Sequence, residues 1–375
     1  MSGDARQPDA HVSAPADGSV PQPAVAFVPI PVVAAAPAAP DGWDARVVAA
    51  PGGNLLQGSA WAEHRRARGW TPWFLRFADD REALVLLRPR PPFPGVLAYA
   101  PRGPAPLGDP GVAVAGRAAG LRAWVAARGA LNLVVDPVLP ADPGYAAAIA
   151  AAGFRPTAEI QPSRHRMLRP IAPGATDADI LAGMTKSARQ RIRDAERAGT
   201  IVAEDAAGDG LDAFAALVAA TAGRKGFLHT EASGFRSWWA RILADGTGLF
   251  LVARNEGRLV GGLIAYRQGG TLATAFSADD AALRATLPGT MHALRFATLR
   301  AARDMGAAWA DLGGADVAPA HLLPEPGAPE RGLYDHKVSL GATWETCEAA
   351  RIAVLRPGWL AAAEAATRIR RHLRR

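Results

Sequence analysis

The stretch from Leu249 to Ser277 limits the possible folds more than any other part of the chain. Three β-prone segments, Leu249–Arg254, Val260–Arg267 and Thr271–Ser277, follow one another. They are joined only by Asn255-Glu256-Gly257 and Gln268-Gly269-Gly270, which are tight-turn sequences. Such a run closes as an antiparallel meander. A long helix, Met291–Met305, comes next and is stopped by Gly306. A short strand, Trp309–Leu312, then ends in Gly313-Gly314. Upstream of the meander the pattern predicts a helix over Asp179–Ala198 closed by Gly199, a strand at Ile201–Glu204, and helices at Leu211–Ala222 and Phe235–Asp245.

A similar order occurs earlier in the chain. Residues 54–69 read as a helix with Leu55, Leu56, Ala60, Trp61 and His64 on one face. Strands follow at Trp73–Phe77, Ala83–Leu87 and Val96–Ala100. An Ala-rich helix over 112–129, a strand Leu131–Val135 and a helix over 142–152 complete the set. Each half therefore runs helix, antiparallel strands, helix, strand. That order predicts an α/β (α+β) protein with two tandem GNAT-like acyltransferase subdomains, and no long heptad run suggests a coiled-coil arm. The chain has 375 residues, enough for two such units. The boundaries expected are 41–170 for the first, completed by 345–375, and 171–344 for the second. Residues 1–40, rich in Ala, Pro, Val and Asp and without a sustained period, read as a disordered leader.

Composition removes some functional classes. Cys347 is the single cysteine, so neither a disulfide framework nor a Cys-rich zinc site can be built, which fits a reducing compartment. Its surroundings, Trp344-Glu345-Thr346-Cys347, suggest a half-buried strand residue. His165, His229 and His336 are isolated from one another and lack metal-ligand spacing. Residues 24–40 are apolar but broken by prolines, and read as neither a signal peptide nor a membrane span. A cytoplasmic protein is the expectation. The net charge of +7 favours polyanionic partners. Lys186, Arg189, Arg191, Arg193 and Arg197 share one helix, and either contact nucleic-acid phosphates or form a solvated face. The arginines from Arg368 to Arg375 sit on an amphipathic helix over 359–373, either a soluble basic tail or a contact with the inner face of the membrane.

Several segments together resemble the FemABX family of peptidoglycan-bridge aminoacyltransferases, in its armless form. They are Leu56-Gln57-Gly58-Ser59-Ala60-Trp61-Ala62-Glu63, Tyr99-Ala100-Pro101-Arg102-Gly103-Pro104 and Val135-Asp136-Pro137. To these add Gly153-Phe154-Arg155-Pro156 with Ile160-Gln161-Pro162, then Arg191–Gly199 and Thr221-Ala222-Gly223-Arg224-Lys225-Gly226-Phe227. Asp311-Leu312-Gly313-Gly314 and Gly332-Leu333-Tyr334-Asp335-His336-Lys337 with Gly341 complete the series. The resemblance runs from about Leu55 to the C-terminus. It implies a double GNAT-like fold, an aminoacyl-tRNA donor and a UDP-linked or lipid-linked muropeptide acceptor. It also implies a monomer with no cofactor and no metal. The sequence departs from the family pattern at His336 and Leu340, which replace aromatic residues. Arg65 stands at a first-helix lysine position, and Leu228 where some members carry tyrosine.

Attack of an amine on an aminoacyl ester needs a positioned amine, a proton acceptor and stabilisation of an oxyanion. The resemblance makes Lys337 the candidate cation, near the oxyanion or the 3′-end phosphate. Asp136, at a strand end, either takes the amine proton or only starts the Asp-Pro turn. Arg224 is the expected diphosphate or carboxylate contact, with Arg65 as a second. Phe276 and His336 are placed with them in the substrate-binding set. The rival is an acyl-CoA-dependent N-acyltransferase of the same fold. It would cradle pyrophosphate at Arg284–Thr290, before the 291–305 helix, but the spacing is wrong and Pro288 removes a donor.

Overall fold

The computed structural model describes residues 27–225, 232–328 and 331–372. Two seven-stranded sheets form its frame. The first takes β1 (Val32–Ala36), β2 (Thr71–Phe77), β3 (Glu82–Pro89), β4 (Val96–Ala100), β5 (Ala130–Val135), β14 (Arg351–Val354) and β6 (Arg155–Pro156), in that order. The second takes β8 (Ile201–Glu204), β9 (Gly248–Asn255), β10 (Arg258–Gln268), β11 (Thr271–Asp279), β12 (Trp309–Asp311), β7 (Arg166–Pro170) and β13 (Thr343–Glu345).

Set side by side, the sheets match position by position. Four antiparallel strands come first in each. One parallel pair follows, β4 with β5 and β11 with β12. The sixth place is taken in each sheet by a strand distant in sequence, β14 from the C-terminal end in one and β7 from the connection between halves in the other. The meander is as the turn residues dictate. Glu256 and Gly257 join β9 to β10 with φ of 49° and 78°, and Gly269 with Gly270 joins β10 to β11 at 56° and 74°. Two successive positive φ values fit the right-handed strand twist.

Three expectations change here. The leader was read as disordered to residue 40, yet β1 pairs antiparallel with β2, Ala36 opposite Phe74. The segment before β1 lies on α2 (Gly111–Ala126), where Ile30 N–H donates to the Gly116 carbonyl at 2.9 Å. Gly116 and Gly120 make this approach possible. A Cβ at Gly120 would stand 1.9 Å from the Ile30 carbonyl oxygen. Prolines are tolerated at a sheet edge, so their presence did not preclude a strand. The strand Arg166–Pro170 was counted with the first subdomain, but it pairs with β12 and β13 in the second sheet. The helix expected over Asp179–Ala198 is two helices, α4 (Asp177–Ala182) and α5 (Lys186–Arg197). Thr176 and Asp179 form a capping box on the first, and the Thr185 side chain caps the second at Ala188 N–H.

Helices cover the outer faces and fill the space between the sheets. α2 and α3 (Pro143–Ala151) cover the first sheet. α4, α5 and α8 (Thr290–Asp304) cover the second. The middle layer holds α1 (Ser59–Arg66), α6 (Leu211–Lys225), α7 (Ala232–Ala244) and α10 (Pro357–His372). Its core draws on both halves: Trp43, Trp61, Phe74 and Leu84 from one, Phe214, Trp238, Phe250 and Ile264 from the other. The Trp61 and Trp238 rings meet edge to face at 5.1 Å. The β10–β11 turn is tied to the first half as well, with Gly269 N–H donating to the Val48 carbonyl at 2.8 Å and Leu55 N–H to Gln268 Oε1 at 2.8 Å. No helix of the described residues is long and apolar enough to cross a membrane.

Candidate functional site

The parallel pairs in the two sheets place two carboxylates in equivalent positions. Asp136 follows the last residue of β5, and Asp311 is the last residue of β12. The parallel ladders end there, at Ala100 opposite Val135 and at Ala273 opposite Asp311.

Asp136 is 2% exposed. Its Oδ2 accepts from the Tyr99 hydroxyl at 2.8 Å and its Oδ1 from Arg102 N–H at 2.6 Å. Arg102 has φ of 51°, and that left-handed turn after β4 is what aims its N–H at the carboxylate. Gln161 Nε2 donates to Tyr99 Oη at 2.9 Å. Burial pushes the Asp136 carboxyl up to about 6, against the opposing Arg102 charge and the two hydrogen bonds. A carboxylate titrating there suits proton transfer near neutral pH.

Asp311 is held by Gly313 N–H, which donates to Oδ1 at 2.8 Å. Burial raises its pKa, and the charges of Arg166, Lys337 and Arg102 oppose that rise. Arg102 thus acts on Asp136 and Asp311 alike, and its guanidinium also donates to the Ser163 carbonyl at 2.7 Å. Arg166 Nε donates to Glu345 Oε2 at 2.7 Å. Lys337 lies on α9 (Arg331–Ser339), not in a turn, and is 3% exposed. Its Nζ donates to the carbonyls of Gly313 at 2.9 Å and Gly314 at 2.6 Å. Gly313 has φ of 78°, so the turn that receives this ammonium favours glycine. Asp136, Arg102, Asp311, Arg166 and Lys337 therefore form one seam of mostly buried charge joining the two sheets. Cys347 borders it, but burial pushes its thiol up to about 12, which keeps it protonated and unsuited to attack. Cys347 is buried rather than half-buried, at 4% exposure, and lies outside any strand, in an isolated bridge with Pro140 and with its N–H donating to His165 Nδ1 at 3.0 Å.

His336 neighbours Lys337 on α9, its ring 4.4 Å from that of His292. Burial and the nearby His292, Arg295 and Lys337 charges depress it to about 3, so it is neutral at physiological pH. Arg65 and Phe276 join a different cluster, along α7. The Arg65 guanidinium lies 5.5 Å from the Trp61 ring and 5.0 Å from the Trp70 ring. His64 beside it stacks between Trp61 at 4.9 Å and Phe235 at 6.0 Å. Phe235 in turn packs on Phe276 at 5.0 Å. Arg224 is in the last turn of α6, but its side chain lies outside the described residues, as do Gly226, Phe227, Leu228 and His229. The structure therefore unites Lys337, His336 and Asp136 around the seam, and Arg65 with Phe276 around α7. Sequence reasoning assigned no role to Tyr99, Arg102, Gln161 or Arg166. The first three stand in segments that carried the family resemblance, whereas Arg166 had no local signal.

Residues 182–320 match the family model of the acetyltransferase (GNAT) domain. The crystal structure of FemX superposes with a TM-score of 0.69 at 20% identity, over 82% of this chain and 94% of that one. The chain shares the fold of FemX. Its matched segment, residues 182–320, is a GNAT acyltransferase-type domain. The C-terminal domain of a putative lysylphosphatidylglycerol synthetase from Agrobacterium fabrum gives a TM-score of 0.48 at 14% identity, over 83% and 93% of the two chains. No curated protein matches the sequence. The GNAT match covers β8 to β12 and so includes Asp311 but neither Asp136 nor Lys337. The seam is completed from outside the matched domain.

Proposed function

We propose that the chain transfers an amino acid from aminoacyl-tRNA to an amine of a peptidoglycan precursor stem peptide, at the seam between its two sheets. The observation that carries this reading is one buried seam that holds both a carboxylate raised to about 6, Asp136 at the end of β5, and an ammonium, Lys337 of α9, fixed on the turn after β12. The amine attacks the ester carbonyl, and a C–N bond forms. Asp136 takes the proton that the amine loses. As the tetrahedral intermediate collapses, the ester C–O bond breaks and the ribose hydroxyl leaves with a proton returned to it. Lys337, fixed by two carbonyls, supplies positive charge where the oxyanion develops. A preorganised group of this kind is worth about 3–4 kcal/mol. Arg65 and Arg224 would hold the acceptor diphosphate, with Phe276 packing against the acceptor and His336 shaping the pocket beside Lys337. The expected partners remain aminoacyl-tRNA and a muropeptide, with no cofactor or metal required by the ester chemistry.

Two features weigh against an acyl-CoA donor. The start of α8, where backbone N–H groups would cradle a pyrophosphate, is packed on α5. A Cβ at Gly289 would stand 1.9 Å from the Arg191 carbonyl oxygen. Past the last β11–β12 pair, Arg295, which is 3% exposed, joins the two segments, donating to Ser277 Oγ at 3.2 Å and the Leu312 carbonyl at 3.4 Å. The test is a transfer assay with purified protein, a UDP-linked muropentapeptide, and either charged tRNA or acetyl-CoA. Transfer from charged tRNA is expected. Transfer from acetyl-CoA alone overturns the reading.

A further inference from the structure

We infer that the end of the first sheet opposite Asp136 docks on an anionic lipid bilayer. β5 starts at Ala130 and reaches Asp136 at its far end, so the two surfaces are separated by the length of the strand. The docking end is built by topology. The start of β2 pairs with the end of β3, Thr71 opposite Leu87, and Pro89 lies opposite Val96 at the start of β4. Val96 in turn neighbours Ala130, and Arg356 N–H donates to the Leu131 carbonyl at 3.1 Å. The end of β3 carries Arg88, and the connections that meet there carry Arg90, Arg128 and Arg356.

These four arginines differ from most others in the protein. Arg117 pairs with Asp79 and Asp109, Arg166 with Glu345, and Arg351 with Glu348. Among the described residues, Arg88, Arg90, Arg128 and Arg356 pair with no carboxylate. Arg88 lies 5.6 Å from the Trp70 ring and Arg128 3.6 Å from that of Trp124. Arg90 bonds the Thr367 hydroxyl. Arg356 lies beside Gly129, whose absent Cβ would stand 3.7 Å from the guanidinium. Among the described residues, then, their positive charge meets aromatic rings and neutral groups but no carboxylate.

Aromatic groups share the same end. Trp359 is 47% exposed and touches Phe93 of the Pro91-Pro92-Phe93-Pro94 turn at 6.5 Å. Helix α10 contacts that connection twice, through Trp359 and through Thr367, so it lies across the sheet end with Leu360 and Ala363 in the core. Exposed arginines and the exposed Trp359 ring gathered at one sheet end match the chemistry of an anionic membrane's headgroup zone. Single-stranded RNA would want parallel platforms for its bases. Here Phe93 and Trp359 are tilted at 60° to one another. Arg65 and Arg88 both contact the Trp70 ring, so an acceptor diphosphate held by Arg65 would lie at the edge of this surface. That corollary, a lipid-linked acceptor, rests on the proposed function, whereas docking itself does not.

The test is co-sedimentation of the full chain with vesicles of phosphatidylcholine, alone or mixed with phosphatidylglycerol. Binding is expected only with phosphatidylglycerol and should weaken as salt rises. Each arginine removed should lower it about fivefold, so Arg88→Gln with Arg356→Gln should lower it about 25-fold. The double variant should keep the wild-type melting temperature and its transfer rate to a soluble UDP-linked acceptor, so loss of docking reads separately from loss of catalysis. Equal binding to neutral vesicles overturns the inference, as does unchanged binding by the double variant. Retention of a single-stranded RNA homopolymer through these arginines, with no vesicle binding, also overturns it.

Discussion

Removing the Tyr99 hydroxyl should move the pH dependence of transfer in a direction the structure fixes. Asp136 is ionised only above about 6, because burial outweighs the donors around it. Tyr99 supplies one of those donors at 2.8 Å. A hydrogen bond to a charged group contributes about 1.5–3 kcal/mol. Its loss in Tyr99→Phe penalises the carboxylate alone, which corresponds to about 1–2 pH units at about 1.4 kcal/mol each. The acid limb of kcat/KM should therefore move from about 6 to about 7–8. The assay is kcat/KM against pH with charged tRNA and a muropeptide, wild type beside Tyr99→Phe. A limb that stays near 6 in the variant refutes Asp136 as the titrating group. Stability carries the same signature with its own sign. The folded pKa of Asp136 lies above the ordinary carboxylate value of 3.8, so the ionised form disfavours the folded state. That cost, about 3 kcal/mol at pH 7, is relieved as pH falls from about 6 towards 4. Asp136→Asn should lose this pH dependence, as measured by denaturant unfolding across that range.

Other outcomes follow from particular contacts. Lys337→Ala should lower turnover about 10²–10³-fold. It should cost about 1–3 kcal/mol of stability through the stranded Gly313 and Gly314 carbonyls. Equal losses in the two measurements would make the residue structural. Gly120→Ala should destabilise by about 1–3 kcal/mol, because its methyl group meets the Ile30 carbonyl. An unchanged melting temperature would mean that the segment before β1 does not pack on α2. Trp61→Ala should cost about 3–5 kcal/mol and leave one unfolding transition, since that ring packs on Trp238 across the two halves. Two resolved calorimetric transitions in the wild type would contradict the shared core.

The local framework was readable because it is written in local chemistry. Asn255-Glu256-Gly257 and Gln268-Gly269-Gly270 can hardly be anything but hairpin turns, and the strands between them follow. Gly306 stops α8 where the sequence places it. What escaped depended on distant partners. β1 owes its existence to the edge of β2 and to a glycine groove on α2, neither of which is visible in an Ala-Pro-rich leader. β7 and β14 are short strands, each opening on an arginine, that could join either sheet, and only tertiary pairing assigns them. Thr185 splits a helix that apolar periodicity reads as continuous, because a cap interrupts hydrogen bonding without disturbing the apolar stripe.

The site was legible to a similar degree. Lys337 and Asp136 stood out through motif resemblance, but their relation did not. It depends on the equivalence of β5 and β12, and on Arg102 acting on both carboxylates. The partners Tyr99 and Gln161 are ordinary residues until a strand end and a loop bring them to one carboxylate. Helix α9 was missed because Arg331–Ser339 has a weak apolar stripe, and its Lys337 is buried by contacts with the Gly313-Gly314 turn.

Whether the acyl group changes hands at the seam between the sheets, as proposed, can be measured by photo-crosslinking with a stable amide mimic of an aminoacylated RNA 3′ end, followed by mass-spectrometric mapping. Labelled peptides containing Tyr99–Arg102 and Gly313–Gly314, displaced by excess charged tRNA, are expected. Labelling confined to the start of α8, around Gly289 and Thr290, would contradict the proposal.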